Sequence, residues 1–130
     1  MTRILIALFA FGALSALSTT AAAPDDVKFP KDTCVKPCQD CAKECLSAVK
    51  HARDANNDLA AKHLELCHHA CLTCAIAVEH KNPQAWAACE LCEKICNDCA
   101  TVCEKSQDEH MKKCAEMCRK CAQACQDARK

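Results

Sequence analysis

The run CELCEKICNDCATVC, Cys89 to Cys103, sets five cysteines at gaps of three, four, three and four. A thiol that loses its proton is both a nucleophile and a soft metal ligand, so such a row is suited to redox chemistry, to disulfides or to soft cations. At about 100° per residue, these gaps hold all five sulfurs within an arc of about 80° on one helix face. The same rule governs Cys34, Cys38, Cys41 and Cys45, then Cys67, Cys71 and Cys74, then Cys114, Cys118, Cys121 and Cys125. Together with Cys89, Cys92, Cys96, Cys99 and Cys103 they make up all sixteen cysteines. A strand would need gaps of two, and loop-borne disulfide scaffolds space their cysteines irregularly among Gly and Pro.

Four helices must therefore position the rows. Asn56-Asn57-Asp58 separates the first two and Lys81-Asn82 the second and third. Asn82-Pro83 reads as an N-cap with proline at the first helical position, and Ser106-Gln107-Asp108-Glu109 as a capping box that opens the fourth helix. Pro37 conflicts with a helix that runs through it, so either regular helix begins near Lys36 or Cys34 sits on a bent first turn. Short connections imply antiparallel neighbours. The predicted fold is all-α, an antiparallel up-down-up-down four-helix bundle whose core is lined with Cys at a/d-like positions. The spacing His63, Cys67, Cys71, Cys74 recurs as His110, Cys114, Cys118, Cys121; this reflects either a duplicated hairpin or the bundle period itself.

Composition bounds the function. Seventeen Lys plus Arg balance seventeen Asp plus Glu, so there is no basic surface for nucleic acid and no acidic excess for disorder. Residues 1–23 carry one Arg, an apolar run from Ile4 to Leu17 and a small-residue end, which reads as a cleaved export signal. The apolar run is too short for the roughly 20 residues that span a bilayer, so no membrane attachment is expected after cleavage. Residues 24–32 are expected as a linker and 33–130 as the bundle. From residue 24 on, seventeen large apolar side chains stand against sixteen Cys, a thin core for one domain. No nucleophile with an adjacent base, no paired catalytic carboxylates and no Gly-rich phosphate loop stands in the sequence, which points to a binding protein and not an enzyme. C-x2-C pairs also occur in thioredoxin-like redox motifs, but no βαβ pattern surrounds these.

Three readings of the rows compete. Cysteine packs as a small hydrophobe, but a core made mostly of Cys gives up much of the burial that Leu supplies. Disulfides suit export and an even count, and a structural disulfide-rich exported protein is the alternative from another class. Neighbours on one helix have nearly parallel Cβ vectors, however, and closing such local loops adds little stability. The third reading is metal: thiolates crowded in a dry tube need cations, and soft ones fit, namely Cu(I), Zn(II) or iron-sulfur clusters. Continuous one-sided rows suit a monovalent d¹⁰ ion that accepts two or three sulfurs better than closed tetrahedral zinc sites, so Cu(I) leads and zinc buffering follows.

The pattern CxxxCxxCxxxC, at Cys34 to Cys45 and again at Cys114 to Cys125 in a Gly-poor chain, resembles the bacterial copper storage proteins. These are Cys-rich four-helix bundles that hold many Cu(I) ions. The resemblance implies Cu(I) binding by the CxxxC pairs Cys34/Cys38, Cys41/Cys45, Cys67/Cys71, Cys92/Cys96, Cys99/Cys103, Cys114/Cys118 and Cys121/Cys125, with Cys74 and Cys89 completing sites across helices. It further implies a homo-oligomer, commonly a tetramer, copper exchanged with copper chaperones or cuproenzymes, and His and Met ligands at one open end. Here His63, His110 and Met111 fall at the end opposite the first helix's start, and His63 and His110 are read either as ligands or as solvated residues near helix starts. Met117 is expected to pack, while His51, His68, His69 and His80 point away from the rows. Leu72 and Ile76, nearly opposite the second helix's Cys face, suggest a subunit contact. A lone Arg3, where exported relatives often carry a twin-arginine leader, implies unfolded export to a periplasmic or secreted location, an oxidising space.

The chain recovered from that compartment is expected to begin at Pro24 or one or two residues earlier, which its intact mass reports. Retention of residues 1–23 would contradict the export reading.

Overall fold

The three-and-four spacing becomes four α-helices in a computed structural model of the chain, which describes residues 26–130: α1 (Val35–Asp54), α2 (Asp58–Glu79), α3 (Ala85–Cys103) and α4 (Glu109–Ala128). The expected leader, residues 1–23, and the start of the expected linker lie outside the described residues. Each helix packs against its two sequence neighbours around a square, and α4 closes the ring on α1. The backbones on the diagonals, α1 with α3 and α2 with α4, stay apart. The architecture is thus the expected up-down-up-down bundle.

Helix ends show how local chemistry places the rods. Cys34 ends a 3-10 turn, Asp32–Cys34, and is also the N-cap of α1. Pro37 therefore falls on the third helical residue, where the backbone N–H has no partner within the helix and its loss costs little. This is the bent first turn. α1 ends in a Schellman motif: Asn56 takes φ 53°, its N–H bonds Arg53 O at 2.9 Å, and Asn57 N–H bonds Ala52 O at 2.8 Å. Asn57 then caps α2, its side chain accepting from Ala60 N–H at 3.1 Å. Lys81 repeats the device after α2 at φ 49°, with Lys81 N–H on Val78 O and Asn82 N–H on Ala77 O. In a chain with one Gly, Asn and Lys take the left-handed positions that glycine usually fills.

Two expected caps are corrected. The N-cap of α4 is Asp108, whose Oδ1 accepts from His110 N–H at 2.8 Å and Met111 N–H at 3.2 Å. Ser106 Oγ instead accepts from Asp108 N–H, so the S-x-x-E box does not form. A carboxylate one residue before the helix is the better acceptor for two orphan donors and it also suits the positive helix end. α3 begins at Ala85, not Pro83; Asn82 Oδ1 accepts from Gln84 N–H in a turn that precedes the helix.

All sixteen cysteines are fully buried, and the rest of the core is mostly Ala, with Val49, Val78, Leu64 and Met111. Cys and Ala are small enough to let four helices close on one axis. No polar or charged side chain is buried among the described residues. Charged residues stitch the outside, Arg119 reaching from α4 to Glu104 at 3.0 Å and Lys113 to Glu44 on α1 at 3.1 Å.

Replacing Asn57 by Ala is expected to cost about 1 kcal/mol of stability, the usual worth of an N-cap, read by chemical denaturation of the whole chain. An unchanged midpoint would contradict the capping role.

Candidate metal centre

The four helices deliver sulfur to the axis from every side. Cys34, Cys38, Cys41 and Cys45 come from the start of α1 inward, Cys67, Cys71 and Cys74 from the second half of α2, Cys89 to Cys103 along all of α3, and Cys114 to Cys125 along α4. Nearest sulfurs lie at non-bonded distances. Cys74 and Cys89 are 3.2 Å apart, Cys45 and Cys114 3.4 Å, and Cys71 and Cys96 3.5 Å. Pairs four apart on one helix are wider, 3.9 Å for Cys41/Cys45 and 4.0 Å for Cys67/Cys71. The closest neighbours are thus across helices, because side chains on one helix run parallel while facing rows interdigitate. Every cysteine is free, well outside the S–S bond length of about 2.05 Å.

The contacts join all the sulfurs but those of Cys99 and Cys103 into one net. From Cys34 they pass through Cys89, Cys74, Cys125, Cys38, Cys121 and Cys71, and from there through Cys96, Cys67, Cys118 and Cys45 to Cys114. Cys92 joins at Cys71 and Cys41 at Cys118, while Cys99 and Cys103 form a pair at 3.9 Å. Diagonal helices whose backbones stay apart meet here through sulfur: Cys67 of α2 lies 3.7 Å from Cys118 of α4.

Within the net the sulfurs converge in fours. Cys38, Cys74, Cys92 and Cys125, one from each helix, lie within 4.8 Å of one another. The same holds for Cys41/Cys67/Cys71/Cys96, Cys41/Cys45/Cys67/Cys118 and Cys71/Cys92/Cys96/Cys121, and in a group of three for Cys34/Cys74/Cys89. Rows that look one-sided along each helix thus close into tetrahedral-sized clusters when four helices face one another, so geometry alone does not disfavour zinc. Sharing sets the terms. Cys41, Cys67, Cys71, Cys74, Cys92 and Cys96 each belong to two of these groups, so neighbouring ions could fill them only through bridging thiolates, the arrangement that soft ions of low coordination number fit with the fewest sulfurs per ion.

Electrostatics point the same way. Cys121 is lowered to about 7, chiefly by the S–H of Cys125, with Cys38 and Cys71 helping. Cys92 and Cys41 are also favoured as thiolates, by Cys121 and Cys118 respectively. Their neighbours move oppositely: Cys96 is pushed far up by Cys118, Cys71 by Cys121 and Cys45 by Cys114, with burial adding in the same direction. A sulfur that ionises is stabilised by S–H groups that must themselves stay protonated. Without cations the tube therefore holds a mixture of thiol and thiolate, and full ionisation needs positive charge inside.

The other expected ligands are placed differently from one another. Met111 is fully inside, at the same end as Leu64. His110 is exposed, and its ring stacks on His51 with centroids 3.8 Å apart and planes at 14°. His51 lies off the cysteine rows, as expected, at the end of α1 beside the start of α4. His63 is half-buried on an outer groove of α2 with Leu59, Lys62 and Leu66. His68 pairs its Nδ1 with Ala42 O of α1 at 2.8 Å, a helix-to-helix tie. Met117 is half-buried and packs against the core, as expected.

Known proteins share this arrangement. The family model described as copper storage protein matches residues 20–130. A Cu(I)-bound copper storage protein, BsCsp3, is 26% identical with a TM-score of 0.71, covering 75% of this chain and 95% of its own. The copper-free copper storage protein 3 of Bacillus subtilis is also 26% identical, with a TM-score of 0.72 over 76% of this chain and 98% of its own. No curated protein matches. A family model that spans nearly all of the described chain, on a bundle whose axis is a net of free thiols, places this chain in the copper storage protein family.

Proposed function

We propose that the chain takes up many Cu(I) ions and holds them as copper thiolates along the bundle axis, with all sixteen cysteines as ligands. The observation that carries this is the overlap of the sulfur clusters, in which one thiolate serves neighbouring groups. A monovalent ion that accepts two or three bridging sulfurs is suited to such sharing, and on the order of one Cu⁺ per thiolate brings the tube near neutrality. Four thiolates around each Zn²⁺ would leave two negative charges per site in a dry core.

His110 and Met111, with His63 from the first half of α2 at the same end of the bundle, would act as neutral entry ligands at the α1-end rim. Met111 is already inside the core and His110 is open to solvent beside His51. The leader-like N-terminus supports export to a periplasmic or secreted location. An apolar strip on the outside of α2 and α3, where Leu59, Leu66, Ile76 and Leu91 are more than half exposed, supports a homo-oligomer, with four copies as the family resemblance implies. Leu72 contributes less to it, at 37% exposure. Copper would pass to and from chaperones or cuproenzymes.

Anaerobic titration of the reduced chain with Cu(I) against a chromophoric chelator is expected to saturate on the order of one ion per thiol. A free thiol titrates at about 8.5, and Cys96, Cys71 and Cys45 are pushed higher still by neighbouring sulfurs and burial, so at neutral pH these carry protons that copper must displace. Loading is therefore expected to release protons and to weaken as pH falls. Saturation at a few ions per chain, or loading without proton release, would contradict storage.

A further inference from the structure

The tube is closed differently at its two ends. Beyond Cys45, Cys103 and Cys114 lies a thick apolar layer, Ala48, Ala52, Ala60, Leu64 and Met111, none more than 2% exposed. At the other end sulfur continues to the last turn. Cys34 sits on the 3-10 turn, Cys74 one turn from the end of α2 and Cys89 one turn into α3, and these three form the group of three, whereas the deeper groups hold four. Beyond them the buried side chains are one from each of three helices, Val78, Ala85 and Ala128, and Pro30 from the non-helical segment ahead of α1, with Val35 partly buried against the core.

That segment is tied down lightly. Lys31 N–H donates to Ala128 O at the end of α4 at 2.8 Å, and the Cys34 thiol donates to Lys31 O at a long 3.5 Å. Among the described residues one good hydrogen bond holds this non-helical segment, and such a segment belongs to the part of a fold that opens at low cost. Opening it uncovers the cluster with the fewest sulfurs.

Resting on the copper reading above, we propose that this end is an exchange gate at which Pro30 and Lys31 act as a strap, and that a low-molecular-weight thiol draws copper out there. The incoming thiolate adds as a further sulfur to a Cu(I) held by Cys34, Cys74 and Cys89. Its Cu–S bond forms and the Cu–S bond to Cys34 breaks. A second small thiolate replaces Cys74, and the bond to Cys89 breaks as copper leaves on the two small thiolates. The three freed cysteines take up the two protons the incoming thiols gave up and one from water. Copper stays Cu(I), so no oxidant or reductant is needed. A protein cysteine fits less well, because the three sulfurs are fully buried beneath the strap and a small thiol reaches them with little opening. The His and Met end serves the opposite traffic through its thicker apolar layer.

Lys31 has φ −67°, the value proline requires, so Lys31→Pro removes the donor to Ala128 without opposing the local backbone. In the full copper-loaded chain, transfer to glutathione is expected to speed up about five-fold in this variant, the gain in open population from losing one hydrogen bond. Asn57→Ala, which loosens the opposite end, is expected to leave the rate near the parent's. Equal acceleration in both variants, or none in Lys31→Pro, would overturn the gate. A second arm uses no copper: limited alkylation of the reduced parent chain, mapped by peptide mass, is expected to mark Cys34, Cys74 and Cys89 first, and earlier marking of Cys45, Cys103 and Cys114 would overturn it. Failure of storage itself would show in the titration and leave the labelling order readable.

Discussion

Sulfur atoms 3.2 to 4.0 Å apart on a fully buried axis set the terms for everything else in this molecule. Two thiolates at about 4 Å repel by about 4 kcal/mol even at an effective dielectric constant of 20, and most cysteines here have two or more such neighbours. The copper-free bundle meets this by keeping many thiols protonated, each S–H serving a neighbour that is easier to ionise. Cations allow the rest to ionise. A core of this kind cannot be indifferent to its contents, because the charge state of every sulfur is coupled to those around it.

The same constraint explains the choice of the other core residues. Ala fills the positions between cysteines, so the helices approach closely enough for diagonal sulfurs to touch, and no buried polar group competes with them. The cost is a core poor in large apolar side chains, and stability must come from elsewhere: well-made helix ends, inter-helix ion pairs on the surface and, once loaded, the metal. Ligands that bind only the folded state stabilise it by mass action, so each stored ion would add to a fold that starts with little apolar burial.

Much of this was legible in the spacing of one residue type. Gaps of three and four named four helices and their inward faces, and the sulfurs of all sixteen cysteines are where that period put them. What spacing could not show was which sulfur meets which, because partners across helices depend on rotation and stagger that no single helix encodes. Hence rows that seemed to disfavour four-sulfur sites close into overlapping groups of four. The caps went astray for a local reason: Ser106 and Asp108 are both good capping residues two positions apart, and the carboxylate took both available donors. The helical period rightly kept His51 off the cysteine rows, but it could not show that its ring meets that of His110 across two helix ends.

Crystals of the fully loaded chain, with anomalous scattering measured on both sides of the copper absorption edge, test the central claim most directly. The account predicts a continuous file of copper peaks along the bundle axis, each between cysteine sulfurs and none isolated from its neighbours. Copper confined to surface histidines, or a few peaks separated by unligated sulfur, would contradict it.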